Sequence, residues 1–138
     1  MILEDLNLIT TSRTKQLNGI AFPVVAGTGG FFTKTDGAAT VMSGLKQLLL
    51  TNKGERVMRP DFGTSLRRTV FEPYTEEVKS NLDEEIRFVI SKYEPRINIT
   101  QLSISFEPNS YDRHHIYISL HFKLKDEITN VQILELIV

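Results

Sequence analysis

Four carboxylates in this 138-residue chain stand where chemistry could be done: Glu55, Asp61, Glu72 and Glu94. Cleavage of a glycosidic bond needs two such groups flanking the bond, roughly 5–9.5 Å apart, one of them with a raised pKa. Here each lies near arginine, among Arg56, Arg59, Arg67, Arg68 and Arg96. A neighbouring guanidinium lowers a carboxyl pKa and works against a general acid. The chain also has no tryptophan to form a platform for a sugar ring. Carboxylates beside arginines in a small domain are ordinarily salt-bridged surface. The histidines add no second chemistry. His114 and His115 point to opposite faces of a strand, and His115 and His121 share a face but stand about 20 Å apart at strand rise. With no cysteine, thiolate metal sites and disulfides are excluded. Gly27-Thr28-Gly29-Gly30 lacks the Lys-Ser/Thr that completes a phosphate loop and reads as a turn. No catalytic residue, cofactor or metal is expected.

What remains is a dense set of arginines, carboxylates, prolines and glycines from Lys53 to Pro73, echoed at Tyr93-Glu94-Pro95-Arg96-Ile97. Such residues at element boundaries suit contacts of fixed geometry. Pro95 fixes the backbone where a helix ends, so Arg96 projects from a rigid mount and can meet a partner's carboxylate with paired hydrogen bonds. The competing reading is internal: a Glu94–Arg59 or Arg96–Asp61 pair that pins the two segments together. The net charge of −1 gives no bulk pull toward nucleic acid or anionic membrane. No apolar run approaches the ~20 residues of a membrane span, and the N-terminus lacks a basic stretch followed by an apolar one.

Two helices and a sheet must position these residues. Val41, Met42, Leu45, Leu48 and Leu49 repeat at one-face spacing and predict a helix over about 36–52, capped by Thr35 or Asp36 and left through Gly54. Glu55 to Met58 reads as a short strand. Asp61-Phe62-Gly63 reads as a turn with Phe62 plugged into the core, and Ser65 to Phe71 as one or two helical turns. A second helix starts at Thr75, carries Glu76 and Glu77 at its positive end, and ends at Glu94 before Pro95. Its apolar face is Val78, Leu82, Ile86, Val89, Ile90 and Tyr93. The period then becomes two: Leu102, Ile104 and Phe106 on one strand, Ile116 to Leu124 on the next, an antiparallel hairpin with one covered face. Val131, Ile133 and Ile137 against Leu134, Leu136 and Val138 make a last strand that is apolar on both faces. It needs cover on both sides, from the N-terminal segment or from another subunit. The expected fold is α+β, two main helices on one side of a small antiparallel sheet. Residues 1–35 read as an extended N-terminal arm and 36–138 as a single domain.

Several of these pieces come in one order: Gly19-Ile20-Ala21-Phe22-Pro23, a Gly-rich loop, Leu48 to Arg56, Arg59-Pro60-Asp61-Phe62-Gly63, Tyr93 to Ile97, then the strand pair. Together they resemble the small baseplate wedge proteins of contractile phage tails. That family was long labelled tail lysozyme-like and has relatives in type VI secretion and other contractile injection systems. The resemblance implies structural work in the virion's tail baseplate, assembled in the host cytoplasm. It implies a contact with the helical bundle of other baseplate wedge proteins, made in the family at the positions of Glu94, Pro95 and Arg96. Arg59, Asp61 and Phe62 are expected beside that contact. It also implies that the chain meets the first ring of tail sheath subunits, and the terminal strand (Val131, Ile133, Leu134, Leu136) is expected to imitate their strand exchange. Hub or tube proteins are further candidate partners; nucleic acid and membrane are not. The alternatives are a peptidoglycan-degrading tail lysozyme and a regulatory adaptor sharing the fold.

Overall fold

Backbone hydrogen bonds decide which of these periodic segments join. The computed structural model describes residues 18–27, 32–108, 114–125 and 130–138. In chain order it forms β1 (Asn18–Ile20), β2 (Lys34–Asp36), α1 (Gly37–Leu50), α2 (Leu66–Thr69), α3 (Glu76–Tyr93), β3 (Ile97–Pro108), β4 (His114–Leu124) and β5 (Val131–Ile137). The last three make one antiparallel sheet in the order β3-β4-β5. Ile104 faces Ile118 across β3–β4, and Leu120 faces Leu134 across β4–β5, so the inward residues of all three strands line up.

That inward face carries the core. Ile116, Ile118, Leu120, Phe122 and Leu124 of the central strand are buried with Ile104, Leu134 and Leu136 of its neighbours. α1 covers them with Val41, Leu45, Leu48 and Leu49, and α3 with Leu82, Ile86, Val89 and Ile90. The helices lie on the face their periodicity requires, because each buries a stripe about 100° wide. α3 begins as expected: the Thr75 hydroxyl accepts the Val78 N–H at 3.2 Å, with Glu76 and Glu77 in the first turn. It ends at Tyr93, one residue short of Glu94, which serves as its C-cap.

Within the segment expected as an arm, residues 18–20 form β1, and residues 34–35 with the backbone of Asp36 form β2, paired with Gly19 opposite Thr35. The Phe22 N–H donates to the hydroxyl of Ser43, a buried residue of α1. Most of the Gly27 to Gly30 turn lies outside the described residues.

One element is a correction. Glu55 to Met58 is not a strand but a run of turns, with Val57 94 % and Met58 91 % exposed. Its backbone groups are used locally: Glu55 N–H to Asn52 O at 3.1 Å, Arg59 N–H to Arg56 O at 3.2 Å, Phe62 N–H to Arg59 O at 3.1 Å. The Gly54 N–H reaches Pro60 O at 2.7 Å and closes the loop on itself. Gly54 has φ +86°, a left-handed conformation that glycine adopts without steric cost, but it lies in this loop, beyond the end of α1.

Candidate functional site

Pro95 ends α3, and the chain turns straight into β3 through Glu94 and Arg96. Glu94 is only 7 % exposed, a buried carboxylate. Arg96 holds it with a two-point grip, Nε to Oε1 at 2.5 Å and Nη2 to Oε2 at 2.6 Å. Bidentate charge-assisted bonds of this kind are among the stronger polar contacts. The bond to Glu94 holds the Arg96 guanidinium above its already high pKa. The Arg96 side chain is 44 % exposed, so its remaining N–H groups can reach outward. Its carbonyl accepts the Lys125 N–H at 2.9 Å, which ties the corner to the end of β4.

The Arg59–Gly63 loop folds onto the last turn of α3. Gly63 makes this possible: its φ is +107°, and a Cβ there would lie 2.3 Å from the Thr51 carbonyl oxygen. Phe62 is partly buried and meets Tyr93 edge-on at 5.1 Å, while the Arg56 guanidinium lies 4.0 Å from its ring centre. Asp61 accepts from Lys92 Nζ at 2.6 Å. That bond pushes the Asp61 carboxyl down to about 2. The cause is therefore a lysine, not the arginines that the sequence suggests. Neither of the internal pairs weighed from the sequence forms, since Glu94 takes Arg96 and Asp61 takes Lys92. Arg59 is exposed and has no side-chain partner among the described residues.

A third contact escaped sequence reasoning. Glu85 of α3 receives Lys53 Nζ and the Ser65 hydroxyl, both in short contacts, and the Ser65 N–H at 3.3 Å. It thus grips both ends of the 53–65 loop. Burial opposes the charge on Glu85, but the bonds from Lys53 and Ser65 outweigh it and hold the carboxyl below its ordinary value. The available signal was its place on the helix, next to Ile86 at the border of the apolar stripe.

The terminal strand divides by face. Leu134 and Leu136, expected with Val131 and Ile133 at a partner contact, are buried in this chain's own core. Val131, Ile133 and Ile137 are exposed on the opposite face, and β5 has β4 as its one ladder partner among the described residues. The carboxylates first considered for hydrolysis are otherwise engaged or exposed. Glu55 accepts the Asn52 N–H at 2.8 Å, and Glu72 lies on the surface. Among the described residues no group of three or more His, Cys, Asp or Glu side chains converges to hold a metal, and no helix is long and apolar enough to cross a membrane.

An α+β core that presents a rigid helix-end corner and an open sheet edge is a small interaction domain. The chain belongs to the baseplate wedge protein gp25 family, whose sequence profile matches residues 35–128. It is 26 % identical to the baseplate wedge protein gp25 of Enterobacteria phage T4 over 100 residues, 72 % of this chain and 74 % of that one. A chain in the baseplate of pyocin R2, in its postcontracted form, is similar with a TM-score of 0.59 and 25 % identity, over 79 % of this chain and 99 % of that one. Two others share the fold. One is a chain of the anti-feeding prophage baseplate (TM-score 0.62, 23 % identity, 89 % and 85 % covered). The other is a putative tail lysozyme from Geobacter sulfurreducens (TM-score 0.57, 24 % identity, 71 % and 86 % covered). The chain is thus a baseplate wedge protein of the contractile-tail class. β5 lies beyond the residues that the family profile matches.

Proposed function

We propose that this chain joins the inner baseplate to the first ring of sheath subunits and initiates sheath assembly, as part of a virion tail put together in the host cytoplasm. The observation that carries this reading is the open edge of β5. Ile116 and Val138 exchange both backbone hydrogen bonds, at 2.8 and 3.1 Å. In an antiparallel ladder such pairs recur at every second residue. The main-chain groups of Gln132, Leu134 and Leu136 therefore point to β4, and those of Val131, Ile133, Glu135 and Ile137 point away from it. The same four residues display their side chains on the outer face, where three are apolar and Glu135 is the one charge in the strand. Exposed edges are normally blunted because they template pairing. A strand from a sheath subunit fits here, with backbone bonds from the edge and its own side chains over Ile133 and Ile137. The Glu94–Arg96 corner, with Arg59, Asp61 and Phe62 beside it, would face the helical bundle of the other wedge proteins, Arg96 using the donors that Glu94 leaves free.

Glu135→Pro tests the edge. It removes one outward N–H and no bond to β4, a placement that edge strands tolerate. Baseplates should form on the variant while sheath polymerisation fails to start. Normal sheaths on Glu135→Pro baseplates, or a tail map with the β5 edge open to solvent, would overturn the reading.

The fold is shared with a putative tail lysozyme, but at 24 % identity that likeness concerns the fold alone. The ion pairs at Asp61 and Glu94 favour a structural role over a hydrolytic one.

A further inference from the structure

The 53–65 loop and α2 form a second face with its own chemistry. Residues 53–72 carry five lysines and arginines against three carboxylates, in a chain whose net charge is −1. Lys53 is taken by Glu85 and Asp61 by Lys92. Arg67 and Arg68 of α2 are exposed and have no carboxylate partner among the described residues. Arg56 and Arg67 line one groove, with Phe22 and Leu50 on its apolar side. Arg67, Arg68 and Phe71 line another, and Phe71 is 88 % exposed. Val57 and Met58, the most exposed apolar side chains described, follow Arg56 in the chain.

This exposure does not come from a loose backbone. The Thr64 N–H donates to Thr51 O at 2.9 Å, and its hydroxyl to Leu49 O at 2.8 Å. The Lys53 N–H reaches Thr64 O at 3.3 Å, and Glu85 holds Lys53 and Ser65 from α3. Cationic and apolar side chains are displayed together from a fixed mount, which lowers the ordering cost of binding.

We propose that the Arg56–Arg67–Arg68–Phe71 face docks an acidic segment of a neighbouring baseplate protein, one that sets carboxylates beside apolar side chains. The two α2 arginines pair with carboxylates, since a guanidinium matches that planar group with two hydrogen bonds. Phe71 fills an apolar pocket, the type of anchor that carries most of an interface's energy. Nucleic acid fits less well. The chain's net charge of −1 gives no bulk attraction for a phosphate backbone, which dominates nucleic-acid affinity. The inference rests on the baseplate reading for its setting and uses a face separate from the β5 edge.

The test places p-benzoylphenylalanine at Phe71 in the full chain within assembled particles, with a second probe at Ile133. After irradiation the cross-linked peptides are sequenced. The Phe71 probe should capture an acidic, apolar segment of a different baseplate protein. Arg67→Glu with Arg68→Glu should lower that yield about tenfold or more, as loss of two charge pairs does. The melting temperature of the isolated chain should move by no more than about 2 °C, because both residues are exposed. Reversing the carboxylates of the captured segment should restore the yield. Capture of nucleic acid, of a second copy of this chain or of a basic segment overturns the proposal, and so does indifference to the charge reversal. A silent Phe71 probe beside an Ile133 probe that captures a sheath subunit sinks this inference alone. Silence at both positions removes the sheath-initiation reading as well.

Discussion

Removing Arg96 leaves the Glu94 carboxylate buried and unpaired, so the corner serves folding besides the contact proposed for it. An uncompensated buried charge is costly, but Arg96 is nearly half exposed and water can partly replace it. Arg96→Ala should therefore destabilise the isolated chain by about 1–3 kcal/mol. Glu94→Gln with Arg96→Ala should recover much of that loss in urea unfolding; equal losses for the single and double variants would show that the pair is not the cause. At Glu85 the sign of the pH effect follows from its lowered folded-state pKa. The unfolded chain binds the proton first as pH falls, so the contribution of Glu85 is complete above the ordinary carboxylate pKa and disappears as pH drops through the lower folded value. Glu85→Gln should cost about 1–2 kcal/mol at pH 7, and its melting curve should converge on the parent's toward pH 3. A constant gap from pH 7 to pH 3 would contradict the assignment. Asp61 contributes with the same sign, over a window from the ordinary carboxylate range down to about 2.

At the scale of elements, β5 alternates core and exposed positions residue by residue. Leu134 is 2 % exposed and lies opposite Leu120 in the core, whereas Ile133 is 49 % exposed. Leu134→Lys should prevent stable folding, since a charge in that core has no partner. Ile133→Lys should leave the melting temperature within about 2 °C and weaken sheath initiation, the first read by calorimetry and the second by counting sheathed tails. Loss of folding in both variants would make the strand ordinary core. α3 was the easiest element to read, because the single stretch from Thr75 to Pro95 holds its cap, its acidic first turn, its apolar stripe and the proline that stops it. Glu55 to Met58 was misread because a short β-like run carries no record of where its hydrogen bonds go. Gly54 and Pro60, six residues apart, close those bonds into a loop instead of a ladder.

For the whole molecule, membership of the wedge family and the engagement of the candidate carboxylates lead to a negative expectation. Purified chain assayed on peptidoglycan from pH 4 to pH 8 should show no turnover above background. Hydrolysis that disappears in Glu55→Gln or Glu94→Gln would reverse this and make the chain a lysozyme. The proposed interaction surfaces sit on different parts of one core: the helix-end corner, the loop with α2, and the edge of β5. A wedge component that bridges different neighbours needs such separation, and a rigid core keeps the surfaces at fixed spacing.

The sequence by itself determined α1, α3 and the strands of the three-stranded sheet, because helix and strand periods are local properties of the side-chain order. Val41 to Leu49, Val78 to Tyr93 and Ile116 to Leu124 each show which face must be buried. It also determined the family, through motifs spread over most of the chain. Only the tertiary structure decided pairing and exposure. That Glu94 takes Arg96, that Asp61 takes Lys92 and that Glu85 holds the 53–65 loop depend on which helix end meets which turn. Likewise, Val131, Ile133, Leu134 and Leu136 are equally apolar in the sequence. One side of β5 became core and the other an open face only because the helices cover a single side of the sheet.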